Sequence, residues 1–412
     1  MHVLILNQPF YPEVAATAQL MWDLAQDLDR HGHNVTAICS RHVYGTDQSH
    51  AQAYEKIGHI EFRRVGGTRF GRKNLVGRMS DFLSFYAAAF IEMQKMPAPD
   101  VILALSSPPM ISLLGVFKRI FGRRRDGGRV RLVYHVMDVY PDAAIAMGVL
   151  KPRSIVARIM SRLTRFTLEN SDGIIALGRD MADLISQRYG IPRQSVHLHV
   201  IPPWSDGQQL HPMPRTESTL ARQWGATDTF NLAYSGNLGM AHDVNTIAGA
   251  IERLKDDTGL RWLFIGGGNR FKAMQERAGR NCWKNVTFHP YQERAALLHS
   301  LNAADVHLVS QLPAFTGIVV PSKLYGIMAV GRPGIMIGPD DAECSRTIVE
   351  NGAGYVVPIG DVDGLVARIR ELRENEPLRL EMGRRAREAF ERLYDRPIAC
   401  NRIRQVLEGV VP

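Results

Sequence analysis

The chain has 412 residues, 45% of them hydrophobic and 22% charged, with a formal net charge of +9. That length exceeds one ordinary core and fits two domains of roughly 200 residues each, while no apolar run approaches the ~18 residues needed to span a bilayer. Cys39, Cys282, Cys344 and Cys400 show no paired spacing, which argues against a disulfide framework and against a zinc site.

The start, MHVLILNQPF, has no basic leader and no small-residue cleavage site, so it reads as a first strand rather than a signal peptide and points to cytoplasmic residence. Val3 to Asn7 as a strand, the loop PFYPEVAATAQ, a helix through LMWDLAQDLDRHGH and the strand NVTAICS make a βαβ opening. The loop Pro9 to Thr17 lies at the carboxyl end of the first strand, where open α/β sheets bind ligands, and Ala15 and Ala16 let a backbone approach closely. HIEFRRV, VILALSS and RLVYHVMD follow as strands, with a long apolar helix between Leu75 and Met96. The run FKRIFGRRRDGGRVR, Phe117 to Arg131, concentrates basic charge and fits a solvated loop, a nucleic-acid patch or a contact for anionic lipid and phosphate. Without aromatics arranged for base stacking or a nucleic-acid module, no nucleic-acid partner is expected. The apolar MISLLGVF before it suits a membrane interface. VMDVYPDAAIAMG leaves another strand end, and His135 and Asp138 stand where a side chain could contact an acceptor hydroxyl; a core histidine and a turn cap fit the same positions. GIIALG, a helix from Asp180 to Tyr189 and HLHVIPP complete this half.

Val200 to Pro214, rich in Pro, Gly and polar residues, marks a domain boundary. The alternation then restarts with FNLAYSGN, a helix from about Val244 to Asp256, RWLFIGGG, a helix through Met274, NVTFHP and a helix through Leu297. Gly236 and Gly239 in YSGNLGMAHD, and the glycines around Gly267 in LFIGGGNRF ahead of Arg270, sit at strand-to-helix turns of a kind that approaches phosphates, although tight turns use glycine equally. DVHLVS, Asp305 to Ser310, is a buried strand, after which Pro321-Ser322 opens a short helix stopped at Gly331. Ser322 as N-cap would leave the N–H groups of Lys323, Leu324 and Tyr325 at the positive end of the helix, beside the Lys323 ammonium. Phosphate oxygens fit there; an ordinary capped core helix has the same pattern. GYVVPIGDVDGL, helices from Gly364 to Arg373 and Pro377 to Arg392, and an amphipathic segment from Ile398 to Leu407 end the chain.

The expected fold class is therefore α/β: two Rossmann-like doubly wound domains facing each other across a cleft, residues 1–203 and 204–392, with a C-terminal helix, residues 393–412, packing back towards the first. No GxSxG, HExxH, Walker lysine motif or dinucleotide GxGxxG at the first βα turn occurs, which disfavours hydrolase, metalloprotease, P-loop and simple dehydrogenase chemistry.

Taken together, FYPEVAATAQLMWDLAQDLDRHGHNVT, MDVYPDAAIAMG, VIPPWSD, YSGNLGMAHD, FIGGGNRF, NVTFHPYQERAALLHSLNAADVHL and VVPSKLYGIMAVGRP followed by GAGYVVPIGD resemble, in order and spacing, the family-4 retaining glycosyltransferases, in particular the bacterial surface-polysaccharide group that includes O-antigen N-acetyl-L-fucosamine transferases. The resemblance covers nearly the whole chain and implies the GT-B fold. It implies a nucleotide-sugar donor, UDP-linked, held by the second domain, and a saccharide or polyprenyl-diphosphate-linked acceptor held by the first at the inner face of a membrane, whose anionic surface would be a further partner. It places Ala15 and Ala16 above the donor phosphates, and Gly236, Asn237, Gly267, Ser322, Lys323, Leu324 and Tyr325 around the diphosphate from below. Tyr291 falls near the base, and Tyr11, His135 and Tyr140 on the acceptor side. Asp138 and Lys323 carry the catalytic roles, with no metal and no cofactor. Where many members have Arg and Lys after the second-domain glycine turn, this chain has Asn237 and His242; where many have two glutamates, it has Ile318 and Gly326. Those departures keep open a silent sugar-nucleotide-binding or scaffold protein of the same fold, and a sugar-nucleotide epimerase, which would need pocket carboxylates.

Overall fold

The computed structural model describes residues 1–13, 15–42, 51–68, 70, 75–124, 126–195 and 197–411. The chain forms two units, Met1–Pro202 with Ala399–Pro412, and Pro203–Ile398.

Short Val, Ile and Leu runs alternating with amphipathic helices bury strands on both faces and force parallel pairing. In the first unit the strands are β1 (His2–Leu6), β2 (Asn34–Ser40), β3 (Tyr54–Ile57), β4 (Ile60–Val65), β5 (Val101–Ala104), β6 (Arg131–Val136), β7 (Gly173–Ala176) and β8 (Leu198–Val200). Their order is β3-β4-β2-β1-β5-β6-β7-β8, parallel except for β3 against β4. Leu4, Leu6, Ile102, Ala104 and Leu132 pack on one face beneath Phe85, Ala89 and Met93 of helix Leu75–Lys95 and Val116 of helix Ser112–Phe121. Across the sheet, Val406 of helix Arg396–Val410 lies against Gly173, and Arg404 of that helix meets Asp27 of helix Ala16–Arg30 at 3.5 Å.

The second unit has β9 (Phe230–Asn237), β10 (Leu260–Gly267), β11 (Val286–His289), β12 (Val306–Ser310), β13 (Gly334–Ile337) and β14 (Gly354–Val357), all parallel, in the order β11-β10-β9-β12-β13-β14. Trp262, Phe264, Tyr234, Leu308 and Ile335 form its main core with helices Asn245–Arg253 and Val362–Glu374. In each sheet the order reverses once, between β1 and β5 and between β9 and β12, and ligands of such folds bind outside the carboxyl ends of the strands beside that reversal.

Several local expectations change. Sequence reading passed over the edge strand β3 and the helices Ile155–Glu169 and Glu343–Glu350, and the helix expected from Val244 to Asp256 runs only from Asn245 to Arg253. The basic run from Phe117 is not a free cationic loop. It begins inside a helix, Lys118 is buried with its ammonium donating to the Met93 carbonyl at 3.3 Å, and Arg119 and Arg131 both pair with Asp172, at 2.8 and 3.1 Å. Arg125 of that run lies outside the described residues.

Arg64 ties the first ligand-edge loop to the sheet. Its side chain is 1% exposed, donates to Glu55 Oε2 at 2.6 Å and to the Tyr11 carbonyl at 3.1 Å, and lies 4.6 Å over the Phe62 ring. Arg64→Ala is expected to cost roughly 2–3 kcal/mol, below the full cost of breaking a buried pair because Glu55 keeps some contact with water. A fall in the urea midpoint of unfolding would register it.

Candidate functional site

The second unit gathers three chain segments at the carboxyl edge of its sheet. β9 and β10 run side by side to their ends, with Gly266 paired to Gly236 and Gly267 to Asn237. Gly236 and Gly266 have φ of +117° and +131°, and a Cβ on Gly266 would lie 2.3 Å from the Gly236 carbonyl oxygen. Only glycine lets these two backbones come so close. Beyond them the Leu238 N–H donates to the Gly267 carbonyl at 2.7 Å, and the Arg270 N–H to the Leu238 carbonyl at 3.0 Å, closing the two turns onto each other.

The third segment follows β12. Gln311, 1% exposed, donates through Nε2 to the carbonyls of Phe315 and Val319, both at 2.9 Å, and so fixes the loop that delivers helix Lys323–Ala329. Lys323, the first residue of this helix, sends its ammonium back over the β9 turn. Nζ is 3.4 Å from the Asn237 carbonyl, which accepts its hydrogen bond, and 3.6 Å from the centroid of the Tyr234 ring. The Tyr234 hydroxyl donates to the same carbonyl at 3.3 Å. Although solvent still reaches part of the side chain, burial pushes the Lys323 ammonium down to about 7. Among the described residues no carboxylate pairs with it, so an anion placed at the turn would find a cation already partly stripped of water.

His242 does not supply a second charge. A carbonyl can only accept, so the 2.5 Å contact between Nδ1 and the Ser310 carbonyl places the proton on Nδ1, and burial, reinforced by the Lys323 charge, pushes the imidazole down to about 3. Arg270 holds this loop from the β10 side, donating to the His242 carbonyl at 2.6 Å. Neither the Arg270 bond nor the Gln311 clamp is written in any local motif; the only sequence sign of Arg270 is its position just after the glycine triplet.

The remaining expected donor residues divide. Ser322 sits at the N-cap position but with helical backbone (φ −64°, ψ −19°) and no capping hydrogen bond from its side chain, so the expected side-chain cap is absent. Leu324 and Tyr325 are 1% and 0% exposed, with Tyr325 packed on Tyr394; their N–H groups turn back to the carbonyls of Pro321 and Ser322 at 3.5 and 3.3 Å. Their side chains belong to the core, not to a ligand. Tyr291 is 56% exposed and its ring covers Gly267, where a Cβ would stand 2.9 Å from Cε2. At the two positions lacking carboxylates, Ile318 is buried, and Gly326 faces the Leu301 and Leu210 side chains and the Ser205 hydroxyl. Gly331 does adopt the expected left-handed C-cap, φ +63°.

In the first unit the ends of β1, β5 and β6 converge. The Gln8 N–H donates to the Ser107 carbonyl at 2.8 Å, and Ser106 Oγ accepts from the N–H groups of Met137 and Asp138 at 3.1 and 2.9 Å. Asp138 is thereby fixed just past β6, where burial pushes its carboxyl up to about 6. Tyr11 is stacked 4.5 Å from Trp22, and Ala15 immediately precedes helix Ala16–Arg30. The Tyr140 carbonyl is held by Thr164 Oγ1 at 2.7 Å. His135 does not fit its expected role: it is 0% exposed within β6, one of the strands of the central sheet, and among the described residues neither ring nitrogen has a partner. Burial pushes it down to about 4, so it is a neutral interior residue. Asp138 is held with respect to Ser106, and Lys323 with respect to Asn237, each within its own unit.

Comparison with known proteins agrees with the fold of the two units. Residues 16–204 match the glycosyl transferase 4-like domain family and residues 218–389 the glycosyl transferases group 1 family. The chain is similar to the probable glycosyltransferase WbjE of Pseudomonas aeruginosa, 28% identical over 312 residues covering 74% of this chain and 75% of that one. It is also similar to the putative colanic acid biosynthesis glycosyl transferase WcaI of Escherichia coli (strain K12), 24% identical over 388 residues, 90% of this chain and 92% of the other. Among solved structures, HepE of Anabaena in complex with UDP-glucose superposes with a TM-score of 0.72 at 15% identity, covering 99% of this chain and 100% of that one. A 4-like domain followed by a group 1 domain, each built on a Rossmann-like parallel sheet, makes this chain a member of the family-4 glycosyltransferases with the GT-B fold.

Proposed function

We propose that the protein transfers a sugar from a UDP-linked donor to a saccharide or polyprenyl-diphosphate-linked acceptor in surface-polysaccharide synthesis, with retention at the anomeric carbon. The observation that carries this is the Lys323 ammonium, fixed over the glycine turn of β9 with no carboxylate among the described residues to neutralise it. Related chains support the setting: WcaI is described as a colanic acid biosynthesis glycosyl transferase, and the HepE structure contains UDP-glucose. Lys323 and the backbone of the β9 and β10 turns hold the diphosphate, and they stabilise the charge that develops on it as the glycosidic bond to the donor breaks. The leaving phosphate oxygen takes the proton of the incoming hydroxyl, as retention by front-face attack requires. Positive charge comes from Lys323, and no metal is called for. The nucleoside lies near Tyr291, beside Gly267.

A scaffold that binds no anion has no comparable support, because a partly desolvated lysine aimed at a turn is costly to keep without one; a silent sugar-nucleotide binder would keep the same lysine and is separated from an enzyme by turnover. An epimerase would need carboxylates that Ile318 and Gly326 do not provide. Incubation with UDP-sugars and polyprenyl-diphosphate-linked saccharides, followed by mass spectrometry, tests transfer, and the anomeric proton coupling of the product tests retention.

Asp138 is assigned to positioning the sugars at the reacting centre, accepting a hydrogen bond from a sugar hydroxyl other than the attacking one, whose proton goes to the leaving phosphate. A carboxyl with its midpoint pushed up to about 6 is neutral below that pH and ionised above it, so activity that needs the carboxylate rises as pH increases through about 6. Asp138→Asn is expected to flatten this limb and lower kcat by about 10²-fold. A pH profile unchanged by the substitution would remove Asp138 from the reaction.

A further inference from the structure

We infer that the outer face of helix Ile155–Glu169 docks the first domain onto a bilayer surface carrying anionic headgroups. A surface helix normally turns its large apolar side chains inward. This one does so only in part: Leu168 is buried with Ala157, Thr164 and Thr167, while Ile155, Val156 and Ile159 stand out at 73, 51 and 50% exposure. Ser154 caps the helix by accepting the Ala157 N–H at 3.2 Å, and Thr164 anchors its inner side to the Tyr140 carbonyl, so the outward display is built in.

Charge says what covers these side chains. Lys151, Arg153, Arg158 and Arg162 are exposed on and just before the same helix, and none makes an ion pair with a described residue; Arg165 pairs with Glu169 at 2.8 Å. Apolar side chains flanked by unpaired cations match a surface that offers an apolar interior beneath anionic headgroups. Nucleic acid would use the arginines but gain nothing from Ile155 and Ile159. The apolar display continues on the neighbouring helix Ser112–Phe121, which contacts this one and exposes Phe117 and Phe121 at 41 and 69%. The membrane contact expected from the basic run after Phe117 thus moves to a different helix, because Lys118, Arg119 and Arg131 are committed inside the domain.

This deepens the acceptor chemistry proposed above and rests on it only for its purpose. Flotation needs no sugar donor, so failure of docking and failure of transfer are read separately. The test is co-flotation of the full chain with phosphatidylcholine vesicles, with and without phosphatidylglycerol, for the wild type, Ile155→Ser/Ile159→Ser and Arg158→Glu/Arg162→Glu. All four positions are exposed, so folding, checked by circular dichroism, is expected to hold. The wild type should float with the anionic vesicles, and the arginine pair should lose about 30-fold or more in partition, as about 1 kcal/mol per basic residue requires. The isoleucine pair should lose about 10-fold or more. No flotation of the wild type, equal flotation with neutral vesicles, or flotation indifferent to both pairs would overturn the inference. So would binding to duplex DNA that depends on the arginine pair while vesicles are ignored.

Discussion

Lys323→Ala is expected to lower kcat/KM for sugar transfer by about 10²–10³, the loss that follows removal of one fixed donor from a developing negative charge. Because the diphosphate is more negative at the transition state than in the bound donor, kcat should fall as well as donor affinity. The wild-type lysine also predicts a pH dependence. With burial holding the free ammonium down to about 7, its charge is fully present below that value, and binding an anion raises its midpoint. Donor affinity should therefore be highest below about 7 and decline as pH rises above it, with a proton taken up on binding. Calorimetry in buffers of different ionisation enthalpy reads that proton, and Lys323→Ala should not show it. Lys323→Arg is not a conservative rescue, since a guanidinium stays charged through pH 7 and above and binds as a planar fork rather than as a point charge, so the pH dependence should be lost even where donor binding is kept.

Gly266→Ala should be among the most damaging single-methyl additions in the chain. The new Cβ would sit 2.3 Å from the Gly236 oxygen and 2.9 Å from its carbonyl carbon, in backbone that cannot withdraw because β9 and β10 are paired along their whole length. A left-handed φ adds its own strain, and together the two effects should cost roughly 3 kcal/mol or more and open the turn under Lys323. Gly279→Ala is the control. It lies in helix Asn269–Arg280 with nothing within 4 Å of the added carbon, so it should be neutral or stabilising by up to about 1 kcal/mol. Thermal unfolding of both variants, with nucleotide binding of whatever remains folded, separates lost stability from a lost site.

The sheets were legible because parallel strands announce themselves as short apolar runs, as in VLIL, VILA, RLVYHV and NLAY, between amphipathic helices. β3 was not, since Tyr54–Ile57 is an exposed edge with no buried alternation. Helix Ile155–Glu169 was not expected although its apolar and polar residues segregate at helical spacing; what the sequence does not tell is that Ile155, Val156 and Ile159 face outwards while the buried side holds Ala157, Thr164, Thr167 and Leu168. The glycine turns and Lys323 could be picked out because each sits at a strand end marked by local residues. That Lys323 reaches Asn237 and Arg270 reaches the His242 carbonyl depends on residues tens of positions apart, and the Gln311 clamp on Phe315 and Val319, though only four and eight positions long, follows no recognised turn pattern. Ser322 shows the opposite failure. A Ser before a helix satisfies the capping rule, yet its backbone is already helical and the side chain makes no cap.

The most direct measurement is calorimetric titration of UDP, GDP and ADP into the wild-type protein and Lys323→Ala. UDP should bind the wild type in preference to the others and lose about tenfold or more of its affinity in the variant, as loss of a charge-assisted contact to the diphosphate requires. A folded wild type that binds none of the three, or a variant that binds UDP as tightly as the wild type, would contradict a diphosphate site at the β9 turn.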